Sequence, residues 1–337
     1  MNCELPIEKQ KGASIEEPLC PDEKSGSEGH SHKVMGRFAP TPSGLLHIGN
    51  LFSFLVAYLH VRKLGGNMRL RIEDLDPARS KQHFIDAIFR DFEWAGFDWD
   101  GEVVYQSART EAYETAFKEL QDKGLIYPCF CTRADLHAAS APHWGEELVY
   151  PGTCRSLSVL EREEKACHRD PSQRVCVSSK PYSFEDLFQG DQSFNLEQTS
   201  GDFVLQRSDS VYAYQLAVVV DDALMGVNSV IRGLDLLPSA PRQMFLQEVL
   251  GFPHPVYGHI PLIVDADGRR LAKRASDTSI ESLRTRAGIS AAEVLGKLAF
   301  ATGMIEDAQS CSIDELVTYA NLDALKDKQR IFVDLGI

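Results

Sequence analysis

Between residues 34 and 77 a short apolar start, a glycine- and proline-punctuated loop, a long apolar helix and an alternating strand follow one another within about forty residues, an order that few folds accept. Val34 to Ala39 reads as a strand, which runs into Pro40-Thr41-Pro42-Ser43-Gly44. His47-Ile48-Gly49-Asn50 then stands where the helix begins. From Leu51, the positions Phe54, Leu55, Tyr58, Leu59 and Arg62 keep helical spacing, and Gly65-Gly66 stops the helix. Met68, Leu70 and Ile72 next alternate with Asn67, Arg69 and Arg71, a second strand that ends at once in Glu73-Asp74-Leu75-Asp76-Pro77. Strand, helix, strand in this order builds an open α/β sheet of parallel strands, and ligands of such sheets gather beyond the carboxyl ends of the strands. Arg37, His47 and Glu73 are therefore expected to converge on one crevice.

The loop itself suits a phosphate. A helix start presents unpaired N–H groups and the positive end of the dipole. Gly49 lets a flat base or a phosphate approach the backbone, and His47 and Asn50, three apart, would share one face of the first turn and donate to phosphate oxygens. Glu73 and Asp74 have a plainer reading too, as a solvated turn or a cap.

Further along, residues 79–95 and 107–124 read as amphipathic helices, with Gly124 ending the second and a turn at 97–101 between them. Cys129-Phe130-Cys131 and Tyr150-Pro151-Gly152-Thr153-Cys154 then offer three thiolates that can meet on one tetrahedral ion. Tyr150, His143 and His137 are the candidates for a fourth ligand. Imidazole is the ordinary choice, because a phenol must be deprotonated by the metal. No acid- or His-rich motif surrounds the cysteines, so the ion would be structural. Residues 155–205 mix short alternations (Val175, Val177; Phe203, Leu205) with Gly and Pro, as in a small mixed insertion, and Cys167 and Cys176 read as incidental.

Tyr212 to Asp222 reads as a buried strand-like run ending in acids, and Ile231-Arg232-Gly233-Leu234-Asp235 repeats that logic. By themselves Arg232 and Asp235 fit a surface ion pair as well as a ligand site. Residues 242–251 are helical in pattern. Ile260 to Val264 leads into an Asp265-Ala266-Asp267-Gly268 hairpin turn and then into Arg269, Arg270, Lys273 and Arg274, a basic clamp suited to a polyphosphate. Residues 281–337 read as helices with Val294, Leu295, Leu298 and Phe300 as an apolar stripe.

Composition narrows the class. A chain of 337 residues, 43% hydrophobic, can bury a substantial core in two or three lobes. No apolar run is long enough to span a bilayer and no basic start precedes an apolar stretch, which points to a cytoplasmic protein away from membranes. The formal charge of -14 excludes a uniformly basic nucleic-acid coat and leaves room for a local basic surface. Of eight cysteines, three lie within residues 129–154, a spacing that fits a metal site better than a disulfide framework. Residues 1–34, rich in Glu, Lys, Ser and Gly and including His30 and His32, read as a disordered, solvated tail.

Taken in order, the opening loop, E-D-L-D-P, Y-A-Y-Q-L-A-V-V-V-D-D, R-G-L-D-L-L and R-L-A-K-R resemble the class I glutamyl-tRNA synthetases over roughly residues 34–300. His47 to Asn50 looks like that class's H-I-G-H element, and Arg270 to Arg274 like its K-M-S-K-S loop. Only about sixty residues follow Lys273, too few for the anticodon-binding domain of a full-length synthetase. The Cys-x-Cys, Tyr-x-x-x-Cys insertion is similar to the zinc element of the shortened paralogues, the glutamyl-Q tRNA(Asp) synthetases. Those enzymes activate glutamate with ATP and esterify it to queuosine in the anticodon loop of tRNA(Asp).

The resemblance implies a class I synthetase Rossmann-like parallel sheet with a small zinc-containing insertion and a C-terminal helical segment. Its divisions are a tail (1–34), the two halves of the catalytic domain (35–126 and 206–280), an RNA-contacting insertion with zinc (127–205) and C-terminal helices (281–337). It implies L-glutamate in contact with Arg37, Phe38, Ala39, Pro40, Thr41, Glu73, Tyr214 and Arg232. A dianionic amino acid wants two guanidinium groups, Glu73 suits its ammonium and Tyr214 supplies a hydroxyl. ATP with Mg2+ would meet His47, Gly49, Asn50 and Lys273, with Lys273 stabilising charge as pyrophosphate leaves. Cys129, Cys131, Tyr150 and Cys154 would hold one structural Zn2+, which raises Tyr150 over the histidines. The anticodon stem-loop of tRNA(Asp) would be the macromolecular partner of a monomeric enzyme. Asn50, Arg270 and Ala272 depart from the class pattern, which bears on rate more than on reaction class. The competing expectations are a truncated or discriminating glutamyl-tRNA synthetase charging the 3′ end of tRNA(Glu), and a non-catalytic RNA-binding paralogue.

Overall fold

The computed structural model describes residues 33–132, 134–136, 149–265, 268, 279–285 and 289–333. The first strand, β1 (Met35–Phe38), feeds through the Pro-rich loop into α1 (Ile48–Lys63) and returns as β2 (Asn67–Ile72), which pairs parallel with β1 from Met35↔Asn67 to Phe38↔Leu70. Gly36 is what lets α1 lie so close on the sheet: a Cβ there would come within 2.4 Å of Val61 Cγ2. Leu51, Leu55, Val56 and Leu59 are fully buried on different sides of α1, because the helix is covered by the sheet and by C-terminal elements. After α2 (Gln82–Ala95), β3 (Val104–Tyr105) extends the sheet in parallel beyond β2, and α3 (Thr110–Asp122) closes this half.

An antiparallel insertion interrupts the chain. β4 (Ile126–Cys129) and β5 (Ser172–Val175) flank α4 (Val159–Ala166), β6 (Pro181–Asp186) and β7 (Gly190–Asn195) form a hairpin, and α5 (Leu196–Thr199) leads to β8 (Phe203–Gln206), giving a sheet in the order β4-β5-β8. The run expected to be a strand at 212–222 is instead the helix α6 (Tyr214–Leu224). Its residues Leu216 to Asp222 are all buried, so the apolar pattern has no polar phase, and a continuous buried run cannot be told from a strand by periodicity.

The chain then re-enters the parallel sheet as β9 (Ser229–Gly233), passes through α7 (Ala240–Leu250) and pairs β10 (Val256–Ile260) with β9 in parallel. β9 packs beside β1, with the Asn228 N–H donating to Met35 O at 3.0 Å. From β1 the chain steps outward to β2, and from β9 it steps the other way to β10, so the point where strand order reverses lies between β1 and β9. That is where a Rossmann-like sheet opens a crevice.

Downstream, β11 (Leu262–Val264) leads to a turn in which the Gly268 N–H donates to Asp265 O. The returning half of the expected hairpin, Arg269, Arg270, Lys273 and Arg274, lies outside the described residues. Among those described, β11 pairs in parallel with β12 (Arg330–Phe332), reached through α8 (Ile280–Thr285), α9 (Ala291–Thr302) and α10 (Ile313–Tyr319). The C-terminal segment is therefore helical with one strand, where helices alone were expected: Ile331 sits in a run too short to show alternation. Residues 1–32 of the expected tail also lie outside the described residues. No helix among the described residues is long and apolar enough to cross a membrane.

Candidate active site

The crevice between β1 and β9 is a cavity of about 440 Å3. Its walls include Arg37, Ala39, Pro40, Thr41, His47, Gly49, Asn50, Glu73, Tyr214 and Arg232, residues drawn from both halves of the parallel sheet. Phe38 is the exception among the positions expected at the amino acid. Its side chain faces the other side of β1, fully buried against Phe54, Tyr58, Phe92 and Phe97, and does not line the cavity. Strand alternation explains this: Arg37 and Phe38 point to opposite faces.

At one end of the cavity the chain forms a capped helix start. His47 is the N-cap of α1, its Nδ1 accepting from the Gly49 N–H at 3.1 Å, while Asn50 Oδ1 accepts from the His47 N–H at 3.1 Å. The neutral imidazole must then carry its proton on Nε2, and Asn50 keeps its NH2 as a donor. Asn50 thus closes a capping box, and the lone positive charge that a histidine would add is not required for that geometry. The Ile280 N–H donates to Leu46 O at 2.8 Å, so the segment that follows the basic loop is tied back to this turn.

At the other end lies a buried charge network. Arg71, fully buried, donates from Nη1 to Asp222 Oδ1 at 2.6 Å and from Nη2 to Glu73 Oε1 at 3.3 Å. Burial alone would pull Arg71 down, but Asp222, Glu73 and Asp221 outweigh it and hold it above its ordinary value. Arg37 faces Asp222 at 3.6 Å and donates to Ile231 O at 3.2 Å. Its balance is the reverse: burial, with repulsion from Arg71 and Arg232, outweighs Asp222 and sets it below the ordinary value. Burial raises Glu73 despite its arginine neighbours. Thr41 reaches the other Glu73 oxygen at 3.3 Å, and the Glu73 N–H donates to Pro40 O, so Glu73 is a fixed wall residue and not a solvated turn.

Arg232 is buried on β9, which excludes the surface ion-pair reading. Two cations, each with a nitrogen lacking a hydrogen-bond partner among the described residues, thus line a cavity that also presents a carboxylate and the partly exposed Tyr214. Such a lining complements a small zwitterion carrying two carboxylates. From the sequence, Arg71 reads only as a polar-phase residue of the second strand and Asp221 and Asp222 only as the acids ending the 212–222 run, none with a role at the site. Arg71 falls in the polar phase of β2, and only a strand covered on both faces buries that phase.

Away from this cavity, the sulfurs of Cys129, Cys131 and Cys154 all lie within 4.8 Å of one another, with Cys131 Sγ 3.6 Å from Cys154 Sγ. Tetrahedral zinc with ~2.3 Å bonds separates its sulfurs by about 3.8 Å, so the spacing fits. The Tyr150 hydroxyl sits 3.4 Å from Cys129 Sγ and 4.0 Å from Cys131 Sγ, and Arg174 covers its ring at 3.9 Å. Burial and the adjoining Cys129 and Cys154 push Cys131 up to about 12, whereas at Cys129 burial is outweighed by Tyr150, the Cys131 backbone N–H and Arg174, which together hold it below its ordinary value. Three thiolates so close need a cation to ionise together. His137 and His143 lie outside the described residues.

The family described as tRNA synthetases class I (E and Q), catalytic domain, matches residues 33–335. A Symbiobacterium thermophilum protein named glutamyl-Q tRNA(Asp) synthetase is 46% identical over 301 residues, covering 86% of this chain and 93% of the relative. Its namesake from Nitratidesulfovibrio vulgaris is 45% identical, covering 81% and 88%. Among solved structures, a glutamate-tRNA synthetase from Elizabethkingia anophelis superposes with a TM-score of 0.74 at 25% identity, over 89% of this chain and 68% of that one. A glutamate tRNA ligase from Elizabethkingia meningosepticum, solved in complex with its amino acid, shares the fold with a TM-score of 0.75 at 23% identity, over 90% of this chain and 68% of that one. The chain belongs to the class I tRNA synthetases of the E and Q group and, within them, to the glutamyl-Q tRNA(Asp) synthetase family.

Proposed function

We propose that the chain activates L-glutamate with ATP and transfers it to queuosine in the anticodon loop of tRNA(Asp). The observation that carries this reading is that Arg37 and Arg232, from the neighbouring strands β1 and β9, line one cavity that also presents Glu73 and a capped helix start. Arg37 and Arg232 receive the two carboxylates, Glu73 the ammonium and Tyr214 a further polar contact. Ala39, Pro40 and Thr41 shape the pocket wall. His47 Nε2–H and the Asn50 amide meet ATP phosphates, and Gly49, without a side chain, lets the nucleotide approach the backbone. Lys273, outside the described residues, supplies charge at the α-phosphate, and Mg2+ arrives with the nucleotide.

In the first step a glutamate carboxylate oxygen bonds to the α-phosphorus and the bond to the bridging oxygen breaks, releasing pyrophosphate. In the second a queuosine hydroxyl attacks the acyl carbon, losing its proton as AMP leaves. No side chain becomes a covalent nucleophile. Two curated relatives at 45–46% identity, both named for this acceptor, support it over tRNA(Glu) charging or a non-catalytic role. The test is transfer of labelled glutamate to tRNA(Asp) carrying or lacking queuosine.

The same reading divides the chain at 35–126, 127–205, 206–280 and 281–337, places RNA contacts on the insertion and describes a cytoplasmic monomer. It assigns one structural Zn2+ to Cys129, Cys131, Cys154 and Tyr150. Cys129 at the end of β4 and Cys131 just after it would hold the ion together with Tyr150 and Cys154, which would tie these two segments of the insertion to each other. The wild-type protein is expected to carry one zinc per chain by elemental analysis, and Cys131→Ser to lose most of it and to expose the insertion to proteolysis. Zinc-free wild-type protein with a protected insertion would contradict the assignment.

A further inference from the structure

Arg232 is held on two of its three nitrogens. Nε donates to His259 Nε2 at 3.0 Å and Nη1 to Gln243 Oε1 at 2.8 Å, while the buried Nη2 has no hydrogen-bond partner among the described residues. Behind it, His259 Nδ1 lies 2.5 Å from Asp186 Oδ2, and both residues are almost completely buried. A guanidinium only donates and a carboxylate only accepts, so one tautomer of His259 satisfies the chain: Nδ1 carries the proton and gives it to Asp186, and Nε2 offers its lone pair to Arg232. Asp186 cannot swing away, because its Oδ1 accepts the N–H groups of Phe188, Gln189 and His259 at 3.0, 3.1 and 2.9 Å.

We propose that Asp186 and His259 are a positioning relay that fixes the plane of the Arg232 guanidinium and presents its open Nη2 edge to a substrate carboxylate. The proposal rests on the reading of Arg232 as a glutamate contact. It gives the β6–β7 hairpin of the insertion a share in the amino-acid site, since Asp186 is its last β6 residue. Neither Asp186 nor His259 touches substrate. The ring must stay neutral, because a proton on Nε2 would face the Arg232 N–H. The charged and titratable groups around it are Asp186 on β6, Arg232 on β9, Arg37 on β1 and Tyr257 on its own strand. Burial, Arg232 and Arg37 together outweigh Asp186 and hold His259 below its ordinary value.

The test is glutamate-dependent ATP–pyrophosphate exchange, with KM measured separately for glutamate and ATP. His259→Leu is expected to raise the glutamate KM about 10- to 100-fold while kcat and the ATP KM change by less than about threefold. His259→Gln keeps an oxygen where Nε2 stood and is expected to restore most of that loss. Asp186→Asn donates to Nδ1, forces the proton onto Nε2 and is expected to match His259→Leu. An unchanged glutamate KM in both His259→Leu and Asp186→Asn, or an equal rise in the ATP KM, overturns the relay. Arg232→Ala separates the two levels: a raised glutamate KM there with none in His259→Leu overturns the relay alone, and a normal glutamate KM in Arg232→Ala overturns the reading beneath it. Should His259→Leu fail to fold, the comparison of Asp186→Asn with His259→Gln decides the same question.

Discussion

Arg37→Ala is expected to lower kcat/KM for glutamate about 10²- to 10³-fold in ATP–pyrophosphate exchange, with the fold retained. The guanidinium is buried, and its charge is only partly answered by Asp222 at 3.6 Å. An anionic substrate would complete that pairing in a site shielded from water, where charge-assisted hydrogen bonds are strongest. Removing Arg37 does not orphan Asp222, because Arg71 still donates to it at 2.6 Å. Arg37→Lys keeps the charge but loses the fork and should fall between the two. A wild-type glutamate KM in Arg37→Ala would remove the basis for the pocket.

The opening βαβ unit was legible because glycine, proline and the two-residue alternation of β2 punctuate it independently of the rest of the chain. Its cavity-lining residues followed, since a parallel sheet directs loops after its strands to one edge. What escaped depended on burial from two sides. Val218, Val219 and Val220 favour a strand by propensity, yet they lie in α6, where packing on all faces erased the helical period. Arg71 was hidden by the same double coverage. Phe38 is grouped with the amino-acid contacts as part of a motif, whereas neighbours on a strand face opposite ways and its side chain packs in the core away from the cavity. His259 and Asp186 are 73 residues apart and belong to different sheets, so no local pattern links them.

The second large effect concerns stability. Asp221→Ala is expected to destabilise the fold by about 3–5 kcal/mol, read as a lower midpoint in urea unfolding. The carboxylate is fully buried at the end of α6 and accepts from Arg109 Nε at 2.5 Å, Tyr113 OH at 2.8 Å and Gln106 Nε2 at 2.9 Å. Arg71 Nε lies 3.7 Å away. Deleting it leaves one fully buried and one partly buried guanidinium short of an anion and strips partners from a phenol and an amide. Arg71, Tyr113 and Gln106 are buried and cannot reach water to recover their partners. Asp221→Asn keeps the shape but not the charge and should also be destabilised. A loss below about 1 kcal/mol would mean that Arg71 is balanced by Asp222 and Glu73 alone.

The destination of glutamate tests the whole account. With ATP and labelled glutamate, the protein should label tRNA(Asp) carrying queuosine and leave both queuosine-free tRNA(Asp) and tRNA(Glu) unlabelled. Label on the 3′ end of tRNA(Glu), or on tRNA(Asp) regardless of queuosine, would contradict it.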